Sequence, residues 1–156
     1  MVCTDQAQVH IVALLRVQKG GLAFIAAQCS SWIWLSRSST KRSSKNPLGD
    51  EQCPSTLEGN RLNSRVELLC VLAHLIGVFW VIEQPANSLF FSTPAMTQAM
   101  LQSGAIRTSF HMKDFGHPSC KGTLLVETSV GYPELVQQRH VLIADVGARS
   151  FPKPCV

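Results

Sequence analysis

Gly77-Val78-Phe79-Trp80-Val81-Ile82-Glu83-Gln84-Pro85 is the stretch on which the fold turns. Five apolar residues, all β-branched or aromatic, follow a glycine and run into a carboxylate, an amide and a proline. So short a run of this composition predicts a strand over 78–83, buried on both faces. Pro85 carries no backbone donor and closes the ladder. A carboxylate at the end of such a strand is costly to bury without a partner. Glu83 is therefore either part of a site or the cap of a surface turn.

Working upstream, Leu62, Val66, Leu69, Cys70, Leu72, Ala73 and Ile76 recur at helical spacing, which predicts a helix from Ser55 or Thr56 to Ile76. Residues 66–82 form one apolar stretch, yet a membrane span needs about 20 such residues. Glu67 and His74 lie inside it, and its character changes at Gly77 from Leu-rich to β-branched and aromatic. Helix, glycine, strand accounts for that change, and a small membrane protein is the weaker reading. Further upstream, Leu22-Ala23-Phe24-Ile25-Ala26-Ala27 is a second buried-type strand. It ends in Gln28-Cys29-Ser30 and follows a helix expected over 5–18, with Asp5 as cap and Gly20-Gly21 as stop.

Two parallel strands joined through a helix deliver Cys29 and Glu83 to one carboxyl edge, where open α/β sheets bind ligands. A thiol beside an acid suits covalent chemistry on an electron-poor ring, with Cys29 as nucleophile and Glu83 moving a proton. The plainer alternative is a packed cysteine and a surface glutamate.

Between these elements, residues 36–54 form a polar loop, basic and Ser-rich over 36–45. Arg37, Lys41, Arg42 and Lys45 are candidates for phosphate contact there, and a solvated linker is the alternative. Downstream, a short turn or helix is expected at 88–91, a helix at 94–103 from Pro94, strands at 106–112 and 123–127, and a helix at 133–139. The order predicts an α/β domain with a mostly parallel sheet over 1–146 and a frayed tail over 147–156.

The chain has 156 residues, 46% of them hydrophobic and 15% charged, with a net charge of +4. That is apolar for a domain of this length and only mildly basic, compatible with a nucleic-acid partner. The six cysteines form no paired framework, and Met1-Val2-Cys3-Thr4-Asp5 does not read as a signal peptide. Free thiols in an intracellular setting, cytoplasm or nucleus, are expected rather than secretion. His111, Asp114, His117 and Cys120 lie close in sequence, but they lack the second pair that a zinc site needs, so no metal is expected. The chain contains neither a GxGxxG nor a Walker motif.

Gln28-Cys29-Ser30, Asn60, Ile82-Glu83-Gln84-Pro85-Ala86-Asn87-Ser88, Gly116-His117-Pro118 and Lys121-Gly122-Thr123, taken together, resemble the cytosine-5 DNA methyltransferase-like family, most closely a diverged eukaryotic branch. The family pattern is Pro-Cys-Ser, an Asn, Glu-Asn-Pro followed by Ser, and Gly-x-x-x-x-Lys-Pro-Thr. Gln28, Gln84 and Gly122 depart from it. The resemblance implies a partial Rossmann-like, three-layer fold, a cytosine-attacking role for Cys29 and a ring-nitrogen contact for Glu83, with the base first flipped out. In the intact family, S-adenosylmethionine sits on a Gly-rich turn after the first strand. This chain aligns from the helix before the fourth strand, so those strands are expected to be missing. The implied reading is an inactive, truncated methyltransferase-like chain that binds no cofactor itself. Its expected partners are nucleic acid, the missing N-terminal half or another copy. A non-catalytic interaction or nucleic-acid-binding module is the alternative.

Overall fold

The computed structural model describes residues 3–128. Helix α1 (Cys3–Leu15) leads into strand β1 (Leu22–Ile25), and a single turn of helix, α2 (Arg37–Thr40), interrupts the long loop that follows. Helix α3 (Pro54–Leu75) returns the chain to strand β2 (Phe79–Pro85), and helix α4 (Pro94–Ser103) leads to strands β3 (Ala105–His111) and β4 (Gly122–Thr128). The helix expected over 133–139 and the frayed tail lie outside the described residues.

Residues 66–82 divide as their composition indicates. Helix α3 ends at Leu75, and Gly77 takes a left-handed φ of +71°, which a residue with a side chain rarely adopts. The Val78 N–H then donates to Ala73 O at 2.8 Å, satisfying a terminal carbonyl before the strand starts. Among the described residues, no helix is long and apolar enough to cross a membrane.

The sheet order is β1-β2-β4-β3. Strands β1 and β2 are parallel and in register from Leu22↔Phe79 to Ile25↔Ile82. Strand β4 lies antiparallel to both β2 and β3, so β3 points the same way as β1 and β2. The sheet is thus mixed rather than mostly parallel. The cause is the short connection between β3 and β4, residues 112–121. It carries only a one-turn 3-10 helix, Met112–Phe115, where a parallel return needs a full crossover.

Side chains alternate across β2. Trp80, Ile82 and Gln84 are fully buried on one face. Ala23 and Ile25 of β1 and Val126 of β4 lie beside them in register. Leu14 of α1, Val66, Cys70 and Ala73 of α3, and Met96 and Met100 of α4 complete this core. The three long helices therefore pack on one face of the sheet. The second helical layer of a three-layer fold is not seen among the described residues.

Helix α3 buries Thr56, Gly59, Asn60, Asn63, Val66, Cys70 and Ala73, a stripe at helical spacing that is polar in its first half and apolar in its second. The apolar half meets the core. In the polar half, Asn63 donates to Phe90 O at 3.0 Å and accepts from the Thr93 hydroxyl at 2.8 Å. Thr93 also caps α4 by accepting from the Met96 N–H at 3.3 Å. The polar half of α3 thus anchors the loops at the carboxyl end of the sheet.

Candidate functional site at the carboxyl edge

The parallel pairing of β1 and β2 brings their carboxyl ends together, and hydrogen bonds stitch the two following loops. Gln84 Nε2 donates to Ala27 O at 2.7 Å, Leu89 N–H to Trp32 O at 3.0 Å, and Arg37 Nη2 to Asn87 O at 3.1 Å. Ser88 Oγ donates to Gln84 Oε1 at 3.0 Å, so the buried amide is engaged at both ends. Gln84 is the residue that sequence reasoning passed over. Its signal was present: an uncharged amide placed between a buried strand and a proline has to find partners.

Cys29 lies in the first of these loops as a half-buried free thiol, and its carbonyl accepts the Trp32 N–H at 2.9 Å. Glu83 is half-buried on the opposite sheet face from Gln84, and its carboxylate lies 3.9 Å from Lys121 Nζ. Lys121 stands at the end of the β3–β4 connection. Three segments far apart in the chain thus meet at one edge: the Cys29 loop, Glu83-Gln84 and Lys121. Asn60 sits behind them near the start of α3, and its amide donates to Leu48 O and to Glu51 Oε1, both at 3.1 Å.

The basic loop is not a solvated linker. Arg42 is only 2% exposed. Its guanidinium carbon lies 3.5 Å from the centroid of the Trp32 ring, and it donates to Pro47 O at 2.6 Å and to Thr56 O at 3.1 Å. Desolvation by burial lowers its pKa to about 10 against a smaller opposing effect of the Cys53 thiolate. Arg42 is a strut of the fold: two carbonyls and an indole face take the place of much of its hydration, although its buried Nε has no hydrogen-bond partner. Arg37 is likewise tied to Asn87 O, whereas Lys41 and Lys45 are exposed. Trp32 is fully buried and meets the Phe90 ring edge-on at 5.4 Å. Gly59 of α3 admits this cluster: a Cβ there would lie 2.2 Å from Ser31 Oγ and 2.9 Å from Arg42 Nη2.

The sequence group His111, Asp114, His117 and Cys120 serves the β3–β4 connection. Asp114 accepts the His111 N–H at 3.3 Å, and His117 Nδ1 accepts the Ser119 N–H at 3.0 Å. No cluster of three or more metal-ligating side chains occurs among the described residues. Cys29, Cys53 and Cys70 are free thiols.

Gly20-Gly21 and Gly77 stand at the amino ends of β1 and β2, and the stretches that follow the two strands, 26–31 and 86–88, contain no glycine. These two carboxyl-end turns therefore carry no glycine-rich turn of the kind that follows the first strand in nucleotide-binding α/β sheets. Comparison with protein families, curated proteins and solved structures finds no match to this chain.

Proposed function

We propose that the chain is the base-facing, C-terminal part of a cytosine-5 DNA methyltransferase-like domain, with a partial Rossmann-like sheet and no methyl transfer of its own. The observation that carries this reading is the convergence of motif residues at one sheet edge. The loop of Cys29, Glu83 and Lys121 come from three segments of the chain, with Gln84–Ala27 at 2.7 Å and Glu83–Lys121 at 3.9 Å. Cys29 is the thiol aimed at a pyrimidine ring and Glu83 the group at the ring nitrogen, while Lys121 and Lys41 contribute positive charge toward phosphate.

Fluorescence anisotropy with a cytosine-containing single-stranded oligonucleotide tests the nucleic-acid half. Binding that weakens as salt rises, and weakens about threefold or more in a Lys41→Ala, Lys121→Ala double variant, is expected. Absence of binding at about 100 μM protein in low salt removes it. Calorimetry tests the cofactor half. S-adenosylmethionine binding tighter than about 100 μM shows that the cofactor site is intact after all.

A second reading, a non-catalytic interaction module, is favoured by one observation. Leu22 and Phe24 of edge strand β1 are 58% and 63% exposed, beside an apolar groove of about 450 Å³ between α1, β1 and α3. A missing N-terminal half or another copy of the chain is the proposed occupant.

A further inference from the structure

Two tryptophans of the Cys29 loop have opposite environments. Trp32 is fully buried, whereas Trp34 is 60% exposed and Leu35 beside it 67% exposed. An indole carries one of the largest apolar surfaces of any side chain, so leaving it in water forgoes a large gain from burial. The exposed ring stands on a fixed turn. In the 3-10 helix Trp34–Ser36, the Ser36 N–H and hydroxyl both donate to Ile33 O, at 3.2 and 2.9 Å. The Thr40 hydroxyl donates to Ser36 O at 2.8 Å, and Arg37 ties the next turn to Asn87 O in the loop after β2. The surroundings are cationic. Residues 29–49 carry Arg37, Lys41, Arg42 and Lys45 and no acid, so their charge of +4 equals that of the whole chain. The next acids along the chain are hydrogen-bonded: Asp50 Oδ1 accepts the Gln52 N–H at 3.0 Å, and Glu51 Oε1 accepts from Asn60 at 3.1 Å. An ordered, water-exposed indole is thus set in an acid-free basic loop at the carboxyl edge.

We propose that Trp34 is a stacking platform for an unpaired base of a single-stranded nucleic acid, with the exposed Lys41 and Lys45 serving the flanking phosphates. This role rests on the nucleic-acid reading of the carboxyl edge and narrows it to single strands. Trp34 follows Cys29 by five residues on the same loop, so the stacked base lies beside the thiol proposed to face a pyrimidine. Every base has a π face, and an indole accepts it whatever the sequence, while lysines neutralise the backbone that runs past. In a duplex those faces are covered by neighbouring bases, so the ring favours a strand whose bases are free to turn out. An anionic lipid surface is the competing partner for lysines beside an exposed Trp-Leu pair. Binding there scales with buried apolar area, and two side chains on a one-turn helix supply little of it.

Intrinsic fluorescence tests this directly, because the chain has three tryptophans, of which Trp32 and Trp80 are fully buried and Trp34 is exposed. The full chain is titrated at low salt with a labelled oligodeoxycytidine of about 12 nucleotides, an abasic strand of the same length, the matching duplex, and vesicles of phosphatidylcholine and phosphatidylserine. Anisotropy reads binding and tryptophan emission reads stacking. The single strand should bind, quench the emission and protect it from acrylamide, and the abasic strand and duplex should quench it little. Trp34→Ala should weaken single-strand binding about tenfold with the salt dependence unchanged, and Trp34→Phe should keep most of the affinity. Single-strand binding with unchanged emission, and with unchanged affinity in Trp34→Ala, overturns the stacking role and leaves the nucleic-acid reading standing. No binding of any oligonucleotide overturns both. An emission change with vesicles alone gives the patch to a lipid surface and overturns the stacking role. Should Trp34→Ala fail to fold, the emission of the unaltered chain with the single and abasic strands decides it.

Discussion

The loop 36–54 and strand β1 exchange the places that their compositions suggest. The loop is polar and basic, yet Thr40 and Arg42 are buried and Asn46, Gly49 and Asp50 are hydrogen-bonded into a compact turn. Strand β1 is wholly apolar, yet its Leu22 and Phe24 stand largely in solvent. The difference lies in partners rather than in hydropathy. Arg42 has two carbonyls and an indole face, which together take the place of much of its hydration. Strand β1 has a neighbour on one side only, because it ends the sheet among the described residues.

The largest effect is expected at Arg42. Arg42→Ala leaves Pro47 O and Thr56 O without their donors and uncovers the face of Trp32. A loss of about 3–5 kcal/mol is expected by denaturant unfolding, comparable to the whole stability of a marginal domain. A loss below about 1 kcal/mol would show the loop to be an appendage and erase the contrast with β1.

Gly49 comes next. Its φ is +67°, and a Cβ there would lie 2.3 Å from Thr40 O. Gly49→Ala combines left-handed strain with a backbone clash, and a cost of about 2–3 kcal/mol is expected in the same measurement. Gln84→Ala follows at about 1–3 kcal/mol, since Ala27 O and the Ser88 hydroxyl lose their buried partner. Its diagnostic is local: amide exchange should accelerate in the Cys29 loop more than in α3, because the loop loses its tie to β2. Uniform acceleration would mean that Gln84 supports the core and not the edge.

Much of this fold was legible in the sequence. Gly77 divided helix from strand, Pro94 opened α4, and the apolar runs at 22–27 and 78–83 did pair in parallel. Period and punctuation carry such local information. The direction of β4 was not legible, because a strand reads the same whichever way it runs, and only its partners reveal the mixed sheet. Near the candidate site, the parallel pairing of the strands that precede Cys29 and carry Glu83 followed from their sequence pattern. The role of Arg42 did not: a run of serines, lysines and arginines carries no sign of the Trp32 ring that one arginine will cover. The Glu83–Lys121 pair likewise joins residues that only the folded sheet brings together.

The smallest effect on stability, and the most informative about β1, is expected from Leu22→Lys with Phe24→Lys. Both side chains are already largely solvated, so unfolding free energy should move by no more than about 0.5 kcal/mol. Association should change instead. An apolar edge strand offers unpaired N–H and C=O groups beside exposed side chains, and such edges pair with other chains unless charge prevents it. With 15% charged residues, the chain has little general repulsion to oppose that pairing. Size-exclusion chromatography with light scattering should show the unaltered chain self-associating at about 100 μM and the double variant shifted toward monomer. A monodisperse unaltered monomer would mean that β1 is covered in solution and that its apolar face has its partner within the chain. The inversion between loop and strand would then reduce to the buried arginine alone.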